Sequence, residues 1–108
     1  SYLCTGLTSI TLPDSVTSLG NSCFESCRGL TSITIPYNVT SIGSRCFYGC
    51  TGLTEIVLEW DSASEIVSYL SNWINGASSF NHFLIPTGTT NLYTAKAYPS
   101  DKLVERTI

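Results

Sequence analysis

The sequence contains a repeat with a period of 23 residues, and this repeat constrains the fold more than any other feature. Residues 4–26 read CTGLTSITLPDSVTSLGNSCFES and residues 27–49 read CRGLTSITIPYNVTSIGSRCFYG, with 14 of 23 positions identical. A third unit opens at residue 50, and residues 80–86 repeat the same apolar pattern after a longer step of 27. A unit this short cannot enclose its own apolar face, so the units must stack on one another.

Apolar residues recur two positions apart within each unit, which is typical of a short strand. A proline ends most of these segments, because proline lacks the donor that a continuing ladder would use. Strands stacked about 4.8 Å apart place like residues over one another in a parallel sheet. The resulting apolar columns are Leu7, Leu30, Leu53 and Phe80; Ile10, Ile33, Ile56 and Phe83; and Leu12, Ile35, Leu58 and Ile85. The pattern predicts a β-rich solenoid whose parallel sheet has about four rungs, and a second short extended piece at 16–20 and 39–43.

The lengthened third unit carries the strongest helix signal in the chain. Ser62 and Glu65 have the spacing of a capping box and Gly76 provides a stop, so a helix is predicted at about 63–75. Weaker signals predict a second helix over Thr90–Ala97. A final turn capped by Ser100 is also expected.

The chain is interpreted as one domain, residues 1–108. It comprises the repeats 4–26 and 27–49, an extended unit 50–76, and a last rung with a helical carboxyl-terminal cap at 77–108. The cap is expected to shield the terminal apolar rung from water. The rung from Leu7 to Leu12 lacks such a shield, so we expect further repeats upstream and self-association through this open amino-terminal edge.

Composition and charge exclude several classes of function. The charged fraction is only 12% and the net charge is −3, so no basic stripe is present to neutralise phosphates. No apolar run approaches the roughly 18 residues that a membrane helix needs. Neither nucleic-acid binding nor membrane insertion is predicted.

Residues 4–58 closely resemble the BspA-like (Treponema pallidum type) leucine-rich repeat family. The motif Cys-x-Gly-Leu-Thr-Ser-Ile-Thr-Ile/Leu-Pro-x-x-Val-Thr-Ser-Ile/Leu-Gly-x-x-Cys-Phe carries this resemblance, and residues 83–93 look like the family's last unit. The chain departs from the family at Cys23 and Cys46, where alanine is more usual. The resemblance implies a right-handed, β-rich (α/β) leucine-rich repeat solenoid that is displayed on a cell surface or secreted. Relatives are implicated in adhesion to extracellular-matrix proteins and other cells. The shared motif is scaffold, so no contact residue can be transferred.

Five cysteines leave three interpretations open: buried free thiols, a disulfide, or a zinc site. Cys4, Cys27 and Cys50 fall in one column of the repeat, and the 27-residue step places Ala77 there too, which favours a small buried position over a metal ligand. We favour free thiols packed as small hydrophobic residues. Adjacent rungs nevertheless lie close enough for a disulfide. No metal and no cofactor are predicted.

His82 is the only histidine, and the column alignment places it beside Glu55 on the outward face of the sheet. We interpret the pair as a surface contact, because an exposed ladder offers no cleft for a nucleophile and a base. The acidic run Glu55, Glu59, Asp61 and Glu65 is interpreted as a solvated face. The chain is therefore not expected to be an enzyme.

The neighbouring outward column changes from hydroxyl to apolar side chains toward the carboxyl end. Trp60 lies nearby in sequence, and we expect the cap to cover this patch, although a partner could cover it instead. The members of the column are Thr11, Thr34, Val57 and Leu84.

Positions that differ between otherwise matching repeats mark places where packing does not dictate the residue. Tyrosine and arginine are enriched where proteins recognise one another, so four such positions become candidate partner contacts: Arg28, Tyr37, Arg45 and Tyr48. The leading hypothesis is a non-enzymatic module that binds host or neighbouring-cell proteins. The alternatives are a passive stalk of a larger surface protein, and a glycan-binding module that uses Tyr37, Tyr48 or Trp60.

Overall fold

The computed structural model describes Cys4 and residues 6–69 and 73–107. Within these residues the chain coils through short strands with little helix. In order, the elements are β1 (Ser9–Ile10), β2 (Ser18–Leu19), β3 (Ser32–Ile35), β4 (Ser41–Ile42), β5 (Glu55–Leu58), β6 (His82–Ile85), α1 (Thr90–Thr94), a 3-10 turn (Ser100–Lys102) and β7 (Leu103–Glu105).

The main sheet is parallel and has the strand order β1-β3-β5-β6-β7, so each coil lays one strand beside the next. Ile33 pairs in register with Ile10 on one side and with Ile56 on the other, and Ile56 pairs with Phe83. The short strands β2 and β4 form a second parallel sheet, as the repeats predict. The β-solenoid and the column alignment, including the 27-residue step, are confirmed.

The interior of the solenoid is built from alternate residues of the longer strands. Along β3, β5 and β6 every second side chain is buried, and the intervening ones are partly exposed. Burial of one large apolar side chain contributes about 1.5–3 kcal/mol, so the stacked columns supply the main stabilisation. Leu7 differs from the other members of its predicted column, because it is 42% exposed whereas Leu30 and Leu53 are fully buried.

The predicted helix at 63–75 is wrong for the described residues 63–69, which are a turn followed by non-helical chain. The Asp61 carboxylate accepts a hydrogen bond from the Ala63 amide at 2.9 Å, and the Asp61 amide donates to Ser64 Oγ at 2.8 Å. These bonds give the backbone a local alternative to the helix that Ser62 and Glu65 suggest. Residues 70–72 of the predicted helix lie outside the described residues.

The carboxyl-terminal cap is less helical than predicted. The helix over Thr90–Ala97 is present only as α1, and the turn at Ser100 is a single 3-10 turn. The chain then adds β7, which pairs with β6 and extends the sheet to five strands. Aromatic side chains fill the interior of the cap, where the Tyr98 ring contacts those of Phe83 and Tyr93 at centroid distances of 5.2 Å.

Candidate functional site

Tyr37 directly follows the proline that ends β3, and its side chain borders a cleft. Its side chain is 42% exposed, and its hydroxyl donates a hydrogen bond to the Ala63 carbonyl at 3.4 Å. The carboxyl ends of the parallel strands meet at this edge of the sheet and border an open cleft of about 440 Å³. We call it the strand-end cleft; its lining includes Tyr37, Glu59, Asp61, Pro86, Thr87 and Arg106.

The strand-end cleft combines an exposed aromatic ring with charged groups of both signs. Glu59 and Asp61 contribute two carboxylates, whereas Arg106 contributes the one guanidinium of this lining. Arg106 Nη2 donates to the Leu58 carbonyl at 3.4 Å, which draws the guanidinium back toward the end of β5. The acidic groups outnumber the basic one, so the lining carries a net negative charge.

Arg45 and Tyr48 form a second candidate site with Glu25. The Arg45 guanidinium lies 3.8 Å from the centroid of the Tyr48 ring, and its Nη2 is 3.3 Å from Glu25 Oε2. The hydrogen bond from Arg45 lowers the pKa of the Glu25 carboxyl below its usual range. Arg45 also has a left-handed backbone with φ of 59°. These contacts hold the guanidinium in one place, with a ring on one side and a carboxylate on another.

The four predicted contact residues do not form one cluster among the described residues. Only Arg45 and Tyr48 contact each other, whereas Tyr37 lies at the strand-end cleft and Arg28 is exposed at the start of the second coil. The column arithmetic could have found Glu59 and Pro86, because both fall in the column of Pro36. It could not have found Arg106, because the segment that contains β7 and Arg106 carries no repeat motif.

Glu55 and His82 lie side by side on the outward face of the sheet, as the alignment predicts. They are in register, and His82 Nε2 lies 2.9 Å from Glu55 Oε2. Ser32, in the same column, donates from its hydroxyl to Glu55 Oε1 at 3.5 Å. The pair lies on an open face, while Cys46 and Cys50 are buried, so the structure does not bring His82 to either thiol.

The remaining acidic residues of the predicted run are dispersed. Glu65 contacts Lys96, with Nζ 2.9 Å from Oε2, and Glu59 and Asp61 belong to the strand-end cleft. Within the described ranges, the structure contains no group of three or more His, Cys, Asp or Glu side chains that could hold a metal ion.

The cap does not cover the outward apolar column, which corrects the expectation from the sequence. β7 extends the column instead, because Val104 pairs in register with Leu84 and is 45% exposed. Trp60 is fully buried, and its Nε1 donates to the Val39 carbonyl at 2.8 Å. An exposed glycan-stacking role for Trp60 is therefore wrong.

Two of the five cysteines form a disulfide. Cys4 and Cys27 form a disulfide with 5.3 Å between their Cα atoms, so the preference for free thiols is wrong for this pair. Cys23, Cys46 and Cys50 carry free thiols. Burial raises the pKa of Cys46 to about 12 and also raises that of Cys50, so both thiols are protonated at neutral pH.

Comparisons with known proteins identify the family of the chain. A family model described as "BspA type Leucine rich repeat region (6 copies)" matches residues 2–104. No curated protein and no solved structure matches. In the part of the chain that the structure describes, no helix is long and apolar enough to cross a membrane. The chain belongs to the BspA-type leucine-rich repeat family.

Proposed function

We propose that this chain is a non-enzymatic module of a cell-surface or secreted protein, and that it adheres to host or neighbouring-cell proteins. Leucine-rich repeat proteins are generally scaffolds without catalytic activity, and they typically bind proteins. Proteins of the BspA type are typically displayed on the surface or secreted. Membership of the family therefore supports protein binding as the class of function. The two candidate sites offer aromatic and charged side chains that a protein partner can contact.

The observation that carries this proposal is the exposed Tyr37 ring at the mouth of an acidic cleft. An aromatic side chain provides large contact area at low entropic cost, and such residues are enriched among those that dominate binding energy. The carboxylates of Glu59 and Asp61 favour a partner segment that carries lysine or arginine. We therefore propose that a basic segment of an extracellular-matrix or cell-surface protein binds in the strand-end cleft.

Arg45 and Tyr48 are proposed as a second contact point. Their stacking and the ion pair with Glu25 fix the arginine before a partner arrives, which reduces the entropy lost on binding. Arg28 is retained as a further contact candidate because it is exposed.

A binding assay with a panel of purified extracellular-matrix proteins, immobilised at low ionic strength, tests the proposal. The intact chain should bind at least one member, and Tyr37→Ala should weaken that binding by about tenfold or more. Arg45→Ala should weaken it as well. Added salt should reduce the affinity, because complementary charges at the rim of an interface are screened.

Leu7→Ala serves as the matched control. Leu7 is 42% exposed like Tyr37, but it precedes β1 and so lies at the opposite ends of the strands. Its replacement should leave the affinity unchanged. Absence of binding to every protein of the panel would remove the proposal, and binding to a glycan array alone would assign the exposed tyrosines to a glycan-binding module instead.

A further inference from the structure

The cysteines lie in two columns on successive coils. Cys4, Cys27 and Cys50 occupy one column, and Cys23 and Cys46 occupy the other, with a step of 23 residues in each case. In the first column a disulfide joins neighbouring coils across a Cα separation of 5.3 Å. One step of the solenoid is therefore a distance that a disulfide spans without backbone movement.

The backbone around the second column is stacked in the same way. The Phe24 amide donates to the Cys46 carbonyl at 2.9 Å, which ties the segment containing Cys23 to the equivalent segment of the next coil. The rings of Phe24 and Phe47, which follow the two cysteines, stack with centroids 5.5 Å apart and planes 11° apart. Cys23 and Cys46 therefore lie over one another on adjacent coils.

The two thiols differ in their access to solvent. Cys23 is partly exposed, whereas Cys46 has no exposed surface. A dissolved oxidant should therefore meet Cys23 before Cys46, and Cys46 is placed to react with a mixed disulfide on Cys23.

We propose that Cys23 and Cys46 form a second disulfide between adjacent coils when the protein meets a small-molecule disulfide such as oxidised glutathione. The Cys23 thiolate attacks one sulfur of the oxidant, forming a mixed disulfide and releasing one glutathione thiolate. The Cys46 sulfur attacks Cys23 Sγ, the bond between Cys23 Sγ and the second glutathione breaks, and the Cys46 proton passes to that glutathione, which leaves as a thiol. Two cysteine thiols are oxidised and one oxidant is reduced to two thiols.

The two bridges would join the first and second coils at two separate columns and leave Cys50 as the single thiol. Such a link restricts the unfolded chain, because residues 23 and 46 can no longer separate. The oxidised protein should therefore unfold at a higher temperature than the protein that contains only the Cys4–Cys27 bridge.

Tryptic mapping of the chain tests the proposal directly. Cleavage at Arg28 and Arg45 separates a peptide of residues 1–28, which holds Cys4, Cys23 and Cys27, from a peptide of residues 46–96, which holds Cys46 and Cys50. The native protein is incubated with oxidised glutathione, its free thiols are blocked, and it is denatured and digested. The Cys4–Cys27 bridge stays within the first peptide, so a cross-link between the two peptides reports a new disulfide.

Two variants decide which cysteines form the cross-link. Cys50→Ser keeps a donor for the Phe24 carbonyl, which Cys50 Sγ contacts at 3.1 Å, and it should retain the cross-link. Cys46→Ala should lose it, and so should Cys23→Ala, which alters a less buried position and guards against misfolding of the Cys46 variant. A cross-link that disappears in Cys50→Ser but survives in Cys23→Ala would show a bridge from Cys50 to Cys4 or Cys27 instead, and it would overturn the proposal. Absence of any cross-link in the wild-type protein would likewise overturn the proposal.

Discussion

Individual buried aromatic residues connect the coils to the cap through hydrogen bonds to backbone carbonyls. Tyr93 Oη donates to the Trp60 carbonyl and Tyr98 Oη donates to the Val67 carbonyl, both at 2.7 Å. Trp60 Nε1 similarly donates to the Val39 carbonyl of the preceding coil. The glycan-binding alternative requires an exposed ring and fails for Trp60, because the repeat pattern does not reveal the buried carbonyl that accepts its N–H group.

Because the phenol groups of Tyr93 and Tyr98 are buried, we expect the protein to lose stability at alkaline pH. Burial raises the pKa of both Tyr93 and Tyr98 above the ordinary value near 10. Their folded-state pKa is the higher one, so the stabilisation is complete below the unfolded pKa and is lost as the pH rises toward the folded pKa. Above about pH 10 the free energy of unfolding should fall by about 1.4 kcal/mol per pH unit for each buried phenol.

Urea titrations at a series of alkaline pH values measure this effect. Tyr98→Phe should be less stable than the wild type at neutral pH by about 1 kcal/mol, because its hydrogen bond is lost. Above pH 10 its stability should decline less steeply, since one titrating phenol is gone. Equal slopes for the two proteins would contradict the assignment of the alkaline loss to Tyr98.

At the scale of secondary-structure elements, the repeated strands could be predicted and the cap could not. β3, β5 and β6 lie where the apolar spacing places them, because each contributes to columns shared with its neighbours. β7 has no repeat motif, and only its pairing with β6 makes it a strand. Local capping signals predict the helix at 63–75, but side-chain hydrogen bonds around Asp61 compete with it over the described residues 63–69.

Glu105 is the residue through which β7 holds the loop before α1. Its carboxylate accepts hydrogen bonds from the Gly88 amide at 2.9 Å and from the Thr90 hydroxyl at 2.6 Å. We expect Glu105→Ala to increase amide hydrogen exchange at Gly88 and Thr90 and to lower the thermal midpoint. The effect should be local, because the other strands keep their partners.

The pH dependence of this contact provides the control. The hydrogen bonds from Thr90 and Gly88 lower the pKa of Glu105, so its stabilisation is present above the unfolded pKa and is lost as the pH falls through the folded pKa. The wild-type protein and Glu105→Ala should therefore converge in acid. If their exchange rates at Gly88 differed equally at every pH, the ionised carboxylate would not be the group that holds the loop.

At the scale of the whole molecule, the sequence predicts how the coils stack, whereas it predicts the candidate binding sites only in part. The repeat gives the register, and the register alone places Glu55 beside His82. The comparison of repeats predicts that packing does not dictate the residue at Tyr37 and Arg45. Both side chains are exposed. It could not show that Tyr37 borders a cleft, because part of the lining comes from the cap, which has no counterpart in the repeats.

Two glycines at the same position of the repeat differ in how closely the neighbouring coil approaches them. Gly20 and Gly43 occupy the same position in successive units. A Cβ atom on Gly43 would lie 2.5 Å from Asn21 Oδ1 and 2.6 Å from the carbonyl carbon of Gly20, whereas a Cβ atom on Gly20 would meet no described atom within 4 Å. Gly43→Ala should therefore destabilise the protein by about 2–3 kcal/mol, because the backbone of the neighbouring coil must move.

Gly20→Ala is the matched control, since it makes the same substitution in the same local sequence. It should change the free energy of unfolding by no more than about 0.5 kcal/mol, as is usual for a surface position. Urea unfolding of the two variants measures the difference. Equal losses would mean that the local turn requires glycine at both positions, whereas a loss confined to Gly43→Ala would trace the requirement to the approach of one coil to the next.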